Sequence, residues 1–476
     1  MTALWNKQAL VSAIGGFVVG RLPETFSGVS IDTRTLEEGE IFFCIKGHHL
    51  DGHDFALQAY EQGAGVLIVA ENRLADMEKI SAPLIVVPDV LQALEKLGKA
   101  ARKRSKAKII AVTGSVGKTT TKEALKQVLT AVGRVHANSA SLNNHWGVPL
   151  TLARMPEESD YGIFEIGMNH KGEIRPLVKL VHPHIVLITH ISAAHMGFFK
   201  NLEEIADAKA EIFEGLDKEG IAVLNTDSDF FSYLVQKAKQ CGVKKILSFG
   251  ETQNADYQAR DIRLLTENSF VTVRILGQER EIQIGAPGRH IVQNSLAVIA
   301  VCDALGVDLE SILLSLSGFA LQKGRGIRYR LALPNGGEFS LIDESYNANP
   351  ASMCAALDLL AIGPVGSCGR RIAILGDMLE LGAYSEKLHR DLVKPVSLSG
   401  ANPVFLFGEA MKFLSSDLSA SVKVHYAENA EEILPLIFAE VSHGDLLMIK
   451  SSNSLYSSDI VRALLDRYKV VSFSLK

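Results

Sequence analysis

Residues 109–121 read Ile-Ile-Ala-Val-Thr-Gly-Ser-Val-Gly-Lys-Thr-Thr-Thr. A hydrophobic run of strand character enters Thr113-Gly114-Ser115-Val116-Gly117-Lys118-Thr119 and continues into a helical pattern from Thr120 to Val132. A strand, a glycine-bearing turn and a Lys-Thr pair at a helix start form a phosphate cradle. The glycines admit backbone N–H groups to the phosphates, and the helix dipole adds positive potential. Lys118 supplies a movable cation and Thr119 a hydroxyl for Mg²⁺. The full P-loop pattern would place its first glycine at Val112, so this is the shorter T-G-x-x-G-K-T form. The loop predicts a bound nucleoside triphosphate, and a chance Gly-Lys-Thr would not account for the flanking strand and helix.

Working outward, 476 residues predict two to three domains. Hydrophobic content of 47% and charged content of 22% are those of a globular chain. A net charge of −5 argues against nucleic acid or an anionic membrane surface as the main partner. The basic residues Lys99, Arg102, Lys103, Arg104, Lys106 and Lys108 are expected to form a solvated face or linker ahead of the loop strand. Five scattered cysteines without a C-x-x-C pair fit reduced thiols in a cytoplasm. The apolar stretch Ala9–Gly20 is short, glycine-rich and without a small-residue cleavage pattern, and reads as a surface helix followed by a strand. No run approaches the ~18 apolar residues of a membrane span.

The first 85 residues alternate short strands and helices up to Leu84–Val87. From 86 to 318, a helix (Val90–Arg104) precedes the loop strand, and buried-strand candidates follow at Tyr161–Ile166, Ile185–Thr189 and Ile221–Leu224. Strands alternating with helices predict a doubly wound, mostly parallel sheet. Period-two apolar spacing between Asp256 and Ile284 predicts an antiparallel ribbon added to it, followed by helices at His290–Leu305 and Leu309–Leu316. Gly318–Gly326 reads as a hinge into a second α/β sheet over 319–476, with strands at Arg330–Leu333, Ser340–Asp343, Arg371–Leu375, Val404–Phe407 and Leu446–Lys450.

Doubly wound sheets bind ligands beyond their strand ends. Three polar residues stand there or soon after. Glu165 lies near the end of Tyr161–Ile166, His195 follows Ile185–Thr189, and Lys209 sits in a helical run, Asp207–Glu211. A carboxylate and an imidazole near phosphates could hold Mg²⁺, although that ion prefers oxygen. Each is weak alone, since loop histidines and helical lysines are ordinarily structural or solvent-facing.

Together with Asp343-Glu344-Ser345-Tyr346-Asn347-Ala348-Asn349-Pro350, Asn294 and Arg325, these residues closely resemble the Mur ligase family, cytoplasmic ATP-dependent enzymes that build the peptide stem of peptidoglycan. The Tyr-Asn-Ala-Asn-Pro form resembles the branch that adds the D-alanyl-D-alanine dipeptide. Asp32-Thr33-Arg34, Lys46-Gly47 and Asp51–Phe55 look like the family's UDP-sugar-binding N-terminal domain. Leu142–Pro149 (with Asn143 and Asn144) and Leu375–Gly382 resemble further family segments. Three departures stand out: Thr33 where serine is usual, Lys450-Ser451-Ser452-Asn453 in place of Lys-Gly-Ser-Arg, and no acidic residue after His195 in Ile191–Phe199.

The resemblance implies three α/β domains: a small UDP-binding unit, a central ATPase and a Rossmann-like C-terminal unit. It implies an ATP-dependent ligase that joins UDP-N-acetylmuramoyl-tripeptide to D-Ala-D-Ala through an acyl phosphate, with ATP and two Mg²⁺ ions. Residues Thr113–Thr120 would hold the phosphates, with Lys118 bridging β and γ, and Thr119 and Glu165 would hold one Mg²⁺. His195 would help hold the second ion, and Lys209 would face it as a carbamate. Asn294 would meet the adenine. Arg325 and Asp343 would reach the nucleotide from the last domain, where Tyr346, Asn347 and Asn349 shape the facing edge. Thr33, Arg34, Lys46, Gly47, Asn143 and Asn144 would contact the UDP-linked substrate. A monomer without nucleic-acid or membrane partners is expected. The competing expectations are a sister ligase adding diaminopimelate, lysine or glutamate, a folylpolyglutamate-synthase-like ligase, and a P-loop regulator without ligation chemistry. The Asp-Asn-Pro-Arg motif typical of the diaminopimelate-adding enzyme does not occur.

Overall fold

A computed structural model describes residues 3–473 apart from His48, Ala140, Ser141, Asn335 and Ser419. Besides a two-stranded ribbon of Trp5–Asn6 with Thr25–Phe26, three larger sheets follow one another along the chain. The first has five strands in the order Phe17–Val19, Leu84–Val87, Val66–Ala70, Ile41–Phe43, Val29–Ser30, all parallel except the first. The apolar stretch near the N-terminus forms the helix Lys7–Ile14 and that antiparallel edge strand, and the helix buries Leu10 and Ile14.

The middle sheet has nine strands. Seven of them run parallel, in the order Tyr257–Leu264, Lys245–Gly250, Ile221–Asn225, Ile185–Ile188, Lys108–Thr113, Tyr161–Glu165, Val135–Ala137. The period-two segment supplies Tyr257–Leu264 together with Ser269–Ile275 and Gln278–Ile284, these three joined antiparallel. Side chains of the loop strand alternate between two cores: Ile109 and Ala111 join one, Ile110 and Val112 the other. A strand covered on both faces must be apolar throughout, which is why this run carries no alternation. The chain moves from Lys108–Thr113 to one side of the sheet and then to the other, so the strand lies at the topological switch point, where a crevice opens at the carboxyl ends.

The third sheet has seven strands, in the order Val424–Ala427, Ala401–Phe407, Arg371–Gly376, Leu446–Lys450, Glu338–Asp343, Ile327–Ala332, Lys469–Phe473. The first five run parallel and the last two pair antiparallel. One buried cluster runs across units two and three, taking in Met196 and Phe199 with Met378 and Leu381.

Two expectations need correction. The helix after the loop spans Lys118–Thr130, starting two residues earlier than Thr120, because Gly117 at φ +82° turns the chain directly into it. The basic run before the loop strand is not simply a solvated face. Arg104 donates to the carbonyls of Leu4 and Met155, with its guanidinium 3.8 Å from the Trp5 ring centroid, and Arg102 donates to those of Val181 and His182. The helix that carries them, Val90–Arg104, buries Val90, Leu94, Leu97 and Ala101 in the core of the first sheet. Trp5 Nε1 donates to Ala153 O at 2.9 Å and Arg154 Nε to Val29 O at 2.6 Å, so these residues bolt the first unit to the second.

His136, in the edge strand Val135–Ala137, is paired with Thr151 O, and burial lowers its ring to a pKa of about 4. The unfolded chain takes up this proton near 6.5, the folded chain only near 4. Its contribution is therefore complete above pH 6.5 and lost as pH falls towards 4, on the order of 3 kcal/mol. Urea denaturation between pH 7 and 4 should show a smaller loss of stability for His136→Gln than for the unmodified chain. Identical slopes would exclude His136 as a contributor.

Candidate active site

The loop strand ends in Thr113, whose hydroxyl donates to Ile166 O at 2.8 Å, tying it to the neighbouring strand end. Gly114 adopts φ +151°, and a Cβ there would stand 1.9 Å from Thr189 Oγ1. Gly117 faces Asn294, whose Oδ1 would lie 2.6 Å from a Cβ. Both positions require the side-chain-free backbone that lets a loop wrap an anion. Ser115 Oγ exchanges hydrogen bonds with Ser192 N and O, and Thr189 Oγ1 donates to Val116 O, clamping the loop to the next strand's exit.

Glu165 is 2% exposed, and both its carboxylate oxygens are held. Thr119 Oγ1 donates to Oε2 at 2.9 Å and Asn143 Nδ2 to Oε1 at 2.8 Å. Its backbone N–H donates to Asn138 Oδ1 at 2.7 Å. Lys118 donates to Gly114 O at 2.7 Å. Burial lowers its pKa; nearby Glu165 opposes the shift and Arg325 adds to it. Lys209, in the helix Leu202–Ala210, is 1% exposed rather than solvent-facing. Burial, with the charge of Lys118 adding to it, drives its pKa well below the ordinary lysine range.

These groups line or underlie a cavity of about 470 Å³ whose other wall belongs to the third unit. That wall includes Arg325, Glu344, Tyr346, Asn347, Asn349 and Lys450. Arg325 crosses the gap, with Nη2 donating to Thr119 Oγ1 at 3.1 Å and its guanidinium 3.8 Å above the Tyr346 ring. Asn349 caps the helix Pro350–Ile362 by accepting from Ser352 N, which turns that helix's N-terminus towards the cavity. An anion there meets positive potential from two helix ends.

Most of the candidate residues meet at this cavity: Ser115 to Thr120, Asn143, Glu165, His195, Asn294, Arg325, Tyr346, Asn347 and Asn349. Thr113, Gly114 and Lys209 lie outside its lining. Asn294, expected at an adenine, packs on the loop backbone at Gly117. Asp343, expected to reach the nucleotide, is fully buried, and its carboxylate accepts from Gly324 N, Ser345 N and Ser345 Oγ. Buried behind the wall, it holds Gly324 and, through it, Arg325. Asn144 accepts from Gly147 N at a helix start and also lies off the cavity.

Thr33, Arg34, Lys46 and Gly47 stand in the first unit, away from the cavity. Arg34 forms a two-pronged pair with Asp32, and Lys46 bridges to Asp51 through the backbone. Asp51 in turn binds His53 and Arg73, fixing the turn after Lys46-Gly47.

Asn138, His190 and Gln293 carry no signal in the sequence, and Lys450 stands out there only as part of the atypical Lys450-Ser451-Ser452-Asn453 segment. Asn138 and His190 stand at strand exits, and the assembled sheet sets Asn138 behind Glu165 and His190 in the cavity lining. Lys450, 3% exposed, donates to Glu344 Oε2 and Asn347 O, so the atypical Lys-Ser-Ser-Asn segment keeps its lysine at work under the facing wall. Among the described residues no three His, Cys, Asp or Glu side chains converge to hold a metal ion unaided. The Thr119 hydroxyl beside the Glu165 carboxylate is a pair of hard oxygens, the partial set that Mg²⁺ takes when substrate phosphates complete its shell.

A phosphate loop opening onto a second α/β unit, with cations on both walls, defines a P-loop enzyme whose site is shared between two units. Family models then cover most of the chain: the Mur ligase family catalytic domain matches residues 25–102, the Mur ligase middle domain 112–302, and the Mur ligase glutamate ligase domain 330–453. The chain belongs to the Mur ligase family. It is 35% identical to the UDP-N-acetylmuramoyl-tripeptide–D-alanyl-D-alanine ligase of Rickettsia prowazekii, over 96% of this chain and 99% of that one. It is also 35% identical to the ligase of the same name from Bacillus subtilis, over 92% and 93%. The crystal structure of MurF from Acinetobacter baumannii superposes with a TM-score of 0.83 at 30% identity, covering 97% of this chain and 99% of that one.

Asn138→Ala would strand the buried N–H of Glu165 and the carbonyl of Leu142 that Asn138 also serves. A loss of about 1–3 kcal/mol in urea denaturation is expected. An unchanged midpoint would show that the strand end is held without it.

Proposed function

We propose that this chain is an ATP-dependent ligase that joins the terminal carboxylate of UDP-N-acetylmuramoyl-tripeptide to the amine of D-Ala-D-Ala, giving the pentapeptide, ADP and phosphate. The observation that carries the reading is that the phosphate loop opens not to bulk water but onto a cavity walled by a second unit. Its relatives' names point to the same reaction. A carboxylate is a poor acyl donor because its leaving group would be an oxide. Transfer of the γ-phosphoryl group onto it gives an acyl phosphate, which the amine attacks with departure of phosphate.

Two anions must meet for the first step, so positioning and cations supply most of the help. Lys118 bridges the β- and γ-phosphates, and the loop amides from Ser115 to Thr120 cradle them. Arg325 contributes its charge from the third unit, oriented by the Tyr346 ring and by Asp343 through Gly324. Asn294, Asn347 and Asn349 border the nucleotide. Thr33, Arg34, Lys46 and Gly47 hold the UDP end of the substrate on the first unit, and Asn143 steadies Glu165. Thr119, Glu165 and His195, with Lys209 as a carbamate, would hold two Mg²⁺ ions. Bound there, magnesium neutralises phosphate charge and draws the carboxylate in.

Lys209 carries an electrostatic argument of its own. Burial depresses the pKa of Lys209, and repulsion by the Lys118 charge depresses it further. A neutral amine adds CO₂ to give a carbamate and a proton, exchanging repulsion of Lys118 for attraction. The reaction belongs to the cytoplasm, where its nucleotide substrates are, and a monomer suffices because both walls come from one chain. No helix among the described residues is long and apolar enough to cross a membrane.

Phosphate release should require both UDP-muramoyl-tripeptide and D-Ala-D-Ala. A panel of amines in place of the dipeptide separates this reading from the sister ligases, and substrate-independent hydrolysis would overturn it. Lys118→Ala should lower turnover by at least about 100-fold, the scale of removing a charge-stabilising group. Lys209→Ala should lose most activity and regain part of it in short-chain carboxylic acids. Full activity without rescue would remove Lys209 from the mechanism.

A further inference from the structure

Residues 191–199 contain no carboxylate that could orient His195. The structure supplies one from the third unit: His195 Nδ1 lies 2.5 Å from Glu380 Oε2. We propose that Glu380 is a positioning residue for His195, carried on a loop, Asp377–Tyr384, through which the third unit docks on the middle one. The proposal rests on the ligase reading only for His195's part in the reaction.

The contact is built from both sides. His195 and Glu380 each adopt the left-handed backbone region, at φ 59° and 62°, which non-glycine residues seldom enter. Gly197 N donates to Glu380 O at 2.7 Å. The backbones then touch at two glycines, since a Cβ on Gly382 would stand 2.7 Å from Gly197 Cα, and one on Gly197 would stand 3.1 Å from Glu380 O. Tyr384 OH donates to Lys200 O at 2.5 Å, a second cross-unit tie.

The loop is also anchored within its own unit. Asp377 accepts from Ala410 N and Met411 N through its carboxylate and from Ser452 N through its carbonyl. Met378 N donates to His389 Nε2 and Leu379 N to Ser452 Oγ. Ser452 belongs to the atypical Lys450-Ser451-Ser452-Asn453 segment, which thus fastens the loop. Glu380 is therefore presented by a fixed element and not by a mobile tail.

An imidazole that donates its Nδ1–H to a carboxylate is fixed in ring orientation and tautomer, leaving the Nε2 lone pair free to accept or ligate. His195 lines the cavity, which puts the oriented imidazole within the site. Because the carboxylate comes from the other unit, His195 is set only when the two units are together, and docking and site assembly become one event. A partner pair at this exposure, with Glu380 45% and His195 24% exposed, holds a ring in place without adding much to stability.

The test uses the full chain with Glu380→Ala and Glu380→Gln. Glu380→Ala should lower kcat about 10- to 100-fold and raise the Mg²⁺ concentration for half-maximal rate by a similar factor, as loss of a ligand-orienting partner does. KM for ATP should stay within about twofold. Glu380→Gln, which keeps an acceptor for Nδ1–H, should recover part of the loss, and both variants should melt with the unmodified chain. Imidazole ¹⁵N spectra of the ligand-free protein, assigned by comparison with His195→Ala, should show an Nδ1–H ring that becomes a tautomer mixture in Glu380→Ala. An unmodified chain that ligates while Glu380→Ala keeps its kcat and its tautomer overturns the proposal. Failure of the unmodified chain to ligate overturns the ligase reading instead, and the ¹⁵N spectra still decide whether Glu380 sets the ring.

Discussion

The buried carboxylate of Glu165 sets the arrangement around it. A carboxylate sealed at the end of a parallel strand must have its charge met, because leaving it unpaired would cost several kcal/mol. The Thr119 hydroxyl, the Asn143 amide and the nearby Lys118 ammonium meet it, and together they tie two further segments to the strand end. Thr119 and Lys118 bring in the loop helix. Asn143 brings in the turn that leads to the next helix. Asn138 secures the strand end from behind. The crevice at the switch point is shaped by the requirement that this one charge never be alone.

The cations follow from the same constraint. Lys118 and Lys209 are both taken out of water, and only Lys118 stands close to a carboxylate that favours its charge. A site that depresses both lysines is poised to receive anions. The third unit adds Arg325 from across the gap, held in place by an aromatic face and a buried aspartate. Asp343 shows how such a site is layered: a residue outside the cavity lining helps decide where the Arg325 cation stands.

Much of this was legible in the sequence, for identifiable reasons. The loop strand, the helix behind it and the antiparallel ribbon follow from local pattern. A doubly covered strand must be apolar throughout, a phosphate loop needs its glycines, and a half-exposed ribbon must alternate. The Gly-Lys-Thr motif, Glu165 and Tyr346–Asn349 could be singled out because they stand at element ends, where local geometry is written in a few adjacent residues. Lys209 could not be told from a surface lysine by composition, since its burial is a property of the helix's neighbours and not of its own sequence. Asn138 and His190 gave no signal because single polar residues at strand exits acquire meaning only beside the strands they face.

The sequence by itself determined the parallel sheet, the phosphate loop and the presence of a second α/β unit, because each rests on periodicity or on contacts between near neighbours in the chain. Only the tertiary structure decided which residues share the cavity, because those pairings join segments far apart in sequence. Arg325 on Thr119, Lys450 under Asn347 and Glu380 on His195 are all of this kind. It also decided that the basic run before the loop secures one unit to another, since a guanidinium can equally face water or span an interface, and only the packing around Trp5 settles which.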